Sequence, residues 1–255
     1  MKRVAVLNLM PTKIKTENQF KKIFAEIGRD INLSFIRLES YISKNSSRSY
    51  LENNYIPTSS LNDHDFDRLI ITGAPLEDKE FSEIKYWNEL QKVFDYADKN
   101  IESTLYICWS VIAALNYKYG IEKELVPDKI FGLYEQEILK ENRLFPDQIK
   151  EFKIPHSRYF KIGENELKEA GLEILSAGER VGPSVFTSKD LKDIYITGHF
   201  EYDRDTLVKE YQRDLDKGLD ISRPANYFHS RDGLTPAENW DKIRKQFYQS
   251  WLSVI

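Results

Sequence analysis

Hydrophobic positions along this chain recur in two periods, short apolar runs and helical stripes, and the two alternate. Val4 to Leu9 is a short apolar run of the buried-strand kind. Phe20, Ile23, Phe24 and Ile27 then recur at helical spacing, with Thr16 and Gln19 placed as a capping box and Gly28 as a stop. Ile31 to Leu38 reads as a second strand. Tyr41 to Pro57, rich in Ser and Asn, reads as a loop with at most a short helix. Arg68 to Gly73 reads as a third strand ending in a Gly73-Ala74-Pro75 turn. Ile84, Trp87, Leu90, Phe94 and Ala97 predict an amphipathic helix over 82–97. A fourth strand, Thr104 to Ile107, runs into Cys108 and a helix-like stretch from Trp109 to Leu115. Strands alternating with helices predict a parallel sheet with right-handed crossovers, its ligands bound beyond the strands' carboxyl ends.

The second half is richer in strand signals. Ile130 to Leu139, Ile154, Leu172 to Leu175 and Ser184 to Thr187 are short candidates, and Ile194 to Gly198 is a clear strand. A helix is expected from Asp205 to Lys217, closed by Gly218. Asp220 to Thr235 reads as loop, and a last helix from Glu238 to Ser253 carries Trp240, Ile243, Phe247 and Trp251. Nothing marks a linker, so residues 1–255 are expected to form a single α/β domain.

Composition narrows the class. A net charge of -4 gives no electrostatic footprint for nucleic acid. One cysteine excludes an internal disulfide and fits a reducing compartment. Asn8, Pro11 and Lys13 end the first apolar run too early for a signal peptide, and no apolar run approaches the roughly 20 residues that cross a bilayer. A cytoplasmic protein is expected.

That cysteine is the leading chemical candidate. Cys108 sits at a strand-to-helix turn, where free N–H groups and the helix dipole favour a thiolate. The plain alternative is a small buried hydrophobe. Among four histidines, His199 lies at a strand end, and Glu201 faces the same way on an extended segment. Nucleophile, base and orienting carboxylate could then meet at one sheet edge. His156 is a rival base. A metal held by His199, Glu201 and Asp203 is the weaker reading, because no second histidine lies at ligand spacing.

Several segments together resemble the homoserine O-acyltransferase family, usually named homoserine O-succinyltransferase. They are Leu7-Asn8-Leu9-Met10-Pro11-Thr12-Lys13 with Thr16-Glu17, Ser43-Lys44-Asn45, Ile71-Thr72-Gly73-Ala74-Pro75, Ile107-Cys108-Trp109, Pro155-His156-Ser157-Arg158, and Thr197-Gly198-His199 with Glu201-Tyr202-Asp203. The resemblance implies a flavodoxin-like sheet similar to class I glutamine amidotransferases, with a Cys-His-Glu triad. It implies that Cys108 takes an acyl group from acyl-CoA as a thioester, that His199 is the general base, and that Glu201 orients it. The N–H of Trp109 would then serve the oxyanion. Lys129, Ser157 and Arg213 correspond to substrate-binding positions, and Glu77 to a position where glutamate goes with acetyl-CoA and glycine with succinyl-CoA. A carboxylate there would repel the free carboxylate of a succinyl group. No metal or redox cofactor is implied, CoA being a substrate, and the resemblance suggests a homodimer.

The chain departs from the family at Tyr41-Ile42, Ser110, Tyr134, Gln136, Phe160 and Phe200, while Glu135 is kept. Phe160, close to Ser157, is expected to shrink or dry the acceptor pocket, which makes serine a rival to homoserine. The leading expectation is an acetyl-CoA-dependent O-acyltransferase acting on homoserine, serving methionine or cysteine synthesis. A glutamine amidotransferase-like hydrolase and a non-catalytic binding module are the alternatives.

Overall fold

The computed structural model describes residues 1–28, 30–41, 45–230, 233–236 and 240–254. Ser43 and Lys44, which carry part of the resemblance, and Ile42, one of the departures, lie outside the described residues, as does Glu238, the expected start of the last helix.

The first half is built of alternating strands and helices. In chain order come β1 (Lys2–Leu7), α1 (Lys13–Ile27), β2 (Ile31–Arg37), α2 (Arg48–Asn54), β3 (Ile56–Pro57), β4 (Arg68–Ile71), α3 (Trp87–Asn100), β5 (Ser103–Ile107) and α4 (Trp109–Tyr119). The second half contributes β6 (Glu124–Ile138), β7 (Glu151–Lys161), α5 (Glu164–Glu169), β8 (Glu173–Gly178), β9 (Gly182–Thr187), β10 (Asp193–Ile196), α6 (Thr206–Asp216) and α7 (Asp241–Trp251). One ten-stranded sheet joins them in the order β3-β2-β1-β4-β5-β10-β9-β8-β6-β7. The strands from β3 to β10 pair in parallel, and β10, β9, β8, β6 and β7 pair antiparallel. This is the expected α/β fold, with its extra β elements in the C-terminal half.

The central parallel strands carry continuous apolar runs because helices cover both faces. Val4 to Leu7, Leu69 to Ile71 and Leu105 to Ile107 are all buried. Strand order reverses at β1: the chain moves from β1 to β2 and β3 on one side, then to β4, β5 and β10 on the other. The loops after β1 and β4 therefore diverge and open a crevice at the carboxyl edge.

Several boundaries differ from the sequence reading. No capping box forms at Thr16, because α1 already begins at Lys13, and Thr16 donates its N–H to the Thr12 carbonyl. Residues Phe81–Glu83 make a separate 3₁₀ turn, and α3 starts only at Trp87, whose ring stacks on Phe81 at 4.8 Å. The greatest difference is the β6–β7 hairpin, far longer than its apolar cores suggest. Charged, exposed residues such as Glu124, Asp128, Glu151 and Lys161 interrupt the apolar pattern towards its ends.

Candidate active site

Cys108 occupies a strained elbow between β5 and α4. Its φ of 54° and ψ of -115° are unusual for a residue with a side chain. The surroundings hold it there. Its N–H donates to the Ile196 carbonyl of β10 at 2.8 Å. Ser110, where the family usually has glycine, stitches the turn shut: its Oγ accepts from the Ile107 N–H at 2.8 Å and donates to the Ile71 carbonyl at 2.7 Å. Gly73, at the end of β4, lets the two loops close up, since a Cβ there would lie 3.2 Å from the Cys108 Cβ and 3.6 Å from the Trp109 nitrogen. The Trp109 N–H opens α4 and, as a first-turn donor, has no partner within the helix. The indole of Trp109 is buried against Phe81 and Tyr86, so only its backbone is available to chemistry.

His199 follows β10 between a bend at Thr197 and Gly198 and a turn at Phe200 and Glu201, rather than on the extended segment expected from the sequence. Gly198 makes this possible, because a Cβ would strike the Pro155 carbonyl oxygen, to which the His199 N–H donates at 2.8 Å. The pairing with Glu201 nevertheless forms: Nδ1 lies 2.6 Å from Glu201 Oε1, and both side chains are buried. The ring stacks on Tyr202 with centroids 4.0 Å apart. Burial opposes protonation of this imidazole, but the negative groups of Glu201 and Cys108 outweigh it and hold its pKa well above the usual value. Nε2 has no partner of good hydrogen-bond geometry, although Cys108 is near enough to exert that pull.

Cys108 and His199 open into one cavity of about 430 Å³, which is also lined by Glu77, Lys129, Ser157 and Arg213. Of the triad only Glu201 does not line it, standing behind His199. Two acids that the sequence reading did not single out organise the far wall. Glu210 accepts from Ser157 Oγ at 2.8 Å and from the Tyr202 hydroxyl at 2.9 Å. Asp214 holds Lys129 at 3.2 Å and Arg213 at 2.7 Å. Glu210 and Arg213 are three residues apart on α6, a spacing that puts them on one helix face and was readable in the sequence. Glu77 lies half-buried on the near wall. Desolvation raises its pKa, while its own backbone, Lys129 and His199 pull the other way.

Other candidates fall outside this cavity. His156 is wholly buried on β7, where its Nδ1 accepts from Arg158 Nε at 3.4 Å, and burial pushes its pKa well below the ordinary value. It is no rival base. Asp203 pairs with Lys22 at 3.2 Å, and the described residues contain no cluster arranged to hold a metal. Phe160 does not narrow the pocket. On β7 it shares the face of Arg158, whose guanidinium lies 4.9 Å from its ring, while Ser157 and Tyr159 point into the cavity. Phe200 is buried against Phe247 of α7 at 4.9 Å and anchors the histidine turn. Tyr134 packs edge-on to His156, and Gln136 is buried beneath the hairpin.

A family model described as homoserine O-succinyltransferase matches residues 1–255. A protein from Streptococcus thermophilus named homoserine O-acetyltransferase is 40% identical over 98% of this chain and 81% of its own length. One of the same name from Bacillus licheniformis is 38% identical over 98% of this chain and 84% of its own. Among solved structures, a glutamine amidotransferase from Thermotoga maritima superposes with a TM-score of 0.66 at 15% identity, covering 99% of this chain and 96% of that one. At that identity the likeness concerns the fold alone.

Proposed function

The chain belongs to the homoserine O-succinyltransferase family, and on that premise we propose that it moves an acetyl group from acetyl-CoA to the side-chain hydroxyl of homoserine. The observation that carries this reading is the convergence of Cys108, a buried His199–Glu201 pair and an amino-acid-sized set of charged groups on one cavity.

In the first half-reaction His199 holds the proton on Nε2 while the Cys108 sulfur attacks the donor carbonyl. The oxyanion forms beside the first N–H of α4, that of Trp109. The carbon–sulfur bond to CoA breaks, and His199 passes that proton to the departing thiolate. In the second half-reaction His199 takes the proton of the acceptor hydroxyl, whose oxygen attacks the Cys108 thioester. Collapse releases the O-acetyl amino acid and the free cysteine. Glu201 holds Nδ1 throughout, so that Nε2 faces the reacting atoms.

Arg213 is suited to the acceptor's carboxylate, and the Ser157–Glu210 pair supplies acceptors for its ammonium. Lys129, held by Asp214, adds positive charge near the same carboxylate. The case for serine as acceptor rested on a pocket narrowed by Phe160. Since Phe160 lies elsewhere, homoserine remains the better acceptor. Glu77 on the cavity wall favours acetyl over succinyl, because a second carboxylate would meet it at close range. The product's activated hydroxyl would serve sulfur assimilation towards methionine or cysteine.

The decisive experiment is intact-protein mass after incubation with acetyl-CoA alone. A single acetyl adduct is expected on the wild type and none on Cys108→Ala. An adduct from succinyl-CoA but not acetyl-CoA would sink the Glu77 argument. Ammonia release from glutamine without any CoA would favour a hydrolase instead.

A further inference from the structure

A second cavity, of about 260 Å³, opens on the same carboxyl edge of the sheet, beyond the ends of β1 and β2. Its wall carries hydrogen-bond donors that the fold leaves unused. Lys13 is only 5% exposed, and among the described residues its ammonium meets the Asn8 carbonyl oxygen and no carboxylate. Arg37 Nε and Ser46 Oγ are enclosed and have no partner. The carboxylates on this wall are already engaged. Glu52 accepts from Arg48 Nε at 2.8 Å, and Glu39 from the Ser59 N–H at 2.9 Å. A buried ammonium, a guanidinium edge and a hydroxyl around one space are complementary to an anion with several oxygens.

The two cavities are neighbours. Leu9 and Lys13 face this one, while Met10, Pro11 and Thr12 of the same loop face the catalytic one. Arg37 ends β2 and Cys108 follows β5, with β1 and β4 between them. Three strand spacings of ~4.8 Å put the two about 14 Å apart. In an acyl-CoA about 13 covalent bonds separate the thioester sulfur from the first phosphorus, about 15 Å when extended. The donor's arm is thus long enough to span the two cavities.

Given the acyl-CoA donor proposed above, we infer that this second cavity binds the phosphate-bearing end of the donor, with Lys13, Arg37 and Ser46 on its phosphoryl oxygens. Tyr41 and Tyr86, edge to face with centroids 5.6 Å apart, form the aromatic side of the same site. Binding energy from this remote end would then be available to position the thioester at Cys108.

The test compares acetyl-CoA with acetyl-pantetheine, which has the thioester and arm but no phosphates. In Arg37→Ala and Ser46→Ala the ratio of kcat/KM for acetyl-CoA to that for acetyl-pantetheine is expected to fall about tenfold or more in the arginine variant, mainly through KM. Calorimetry with adenosine 3′,5′-bisphosphate should show weakened binding in step, with Arg37→Lys retaining part of it. An unchanged ratio, or equal losses with both donors, would overturn the assignment. Orthophosphate binding that disappears in the variants while the ratio stays put would mark a site for a free anion, and would also overturn it. If no CoA thioester acylates Cys108, the donor reading fails on its own account. The calorimetric comparison still decides whether the cavity binds the bisphosphate.

Discussion

His199 and Lys13 show what single buried charges do here. The imidazole of His199 is disfavoured as a cation by burial, yet Glu201 and Cys108 hold its proton well above the ordinary histidine range. Replacing Glu201 by Gln removes the leading contribution that raises it. The imidazole should then lose its proton at lower pH than in the wild type, read from its ring-proton chemical shift, and kcat should fall about 10²- to 10⁴-fold as orientation is lost. Unchanged titration would remove Glu201 from this role. Lys13 shows the opposite sign. Burial lowers its pKa to about 8 from 10.5. Between those values the unfolded chain holds a proton that the folded one lacks, so stability rises with pH across that window. Below it the full penalty of ~3 kcal/mol acts against the fold. Lys13→Met should therefore be more stable at pH 7, by up to that amount, and should lose its share of the rise between pH 8 and 10. Denaturant titrations at the two pH values, compared with wild type, measure both effects. A lysine kept at such a cost is consistent with the anion site inferred at its ammonium.

At the scale of elements, the strand-to-helix elbow is where sequence and geometry bear on each other most directly. Ser110 is buried, and its hydroxyl ties the first turn of α4 to β4 as well as to β5. Ser110→Ala would leave the Ile71 carbonyl without that donor, at a cost of about 1–3 kcal/mol. Lower thermal stability and a lower rate of Cys108 alkylation by iodoacetamide are expected together, since the same bonds hold the strained residue. Loss of stability with unaltered alkylation would separate the elbow from the bond. The parallel half of the sheet was legible in the sequence because helices bury both faces, and each strand becomes a short apolar block. Cys108 at a strand end and His199 at another followed from that. The reach of β6 and β7 was not legible, since charged residues such as Glu124, Glu151 and Lys161 at their ends interrupt the apolar pattern. Nor was the direction of Phe160, which depends on the register of β7 and not on its nearness to Ser157. The His199–Glu201 pairing was anticipated on a strand and occurs in a turn, because the two-residue spacing brings the groups together in either conformation.

At the scale of the whole molecule, the cavity at Cys108 takes its walls from both halves of the chain. Met10, Gly73, Glu77 and Cys108 come from the first, and Lys129, Ser157, His199 and Arg213 from the second. The halves meet where β10 pairs in parallel with β5 and antiparallel with β9, so the sheet runs through the junction without an edge. Helix α7 adds a second tie, its Tyr248 packing against Phe20 and Phe24 of α1 and its Phe247 against Phe200 and Phe145. A separation of the halves would expose this apolar contact and break the β5–β10 ladder together, which favours a single cooperative transition. Calorimetry should therefore record one unfolding endotherm for the whole chain. A ligand that touches both walls should move that one transition as a unit. At 100 times its dissociation constant the amino-acid acceptor would add ~2.7 kcal/mol. Arg213→Ala, weakening acceptor binding, should lose most of that shift at the same concentration while keeping the wild-type midpoint without ligand within a few degrees, because the Arg213 side chain is half-exposed. Two resolved transitions, only one of which responds to the acceptor, would mean that the cavity closes between separately folding halves, and would replace the single-domain reading of the chain.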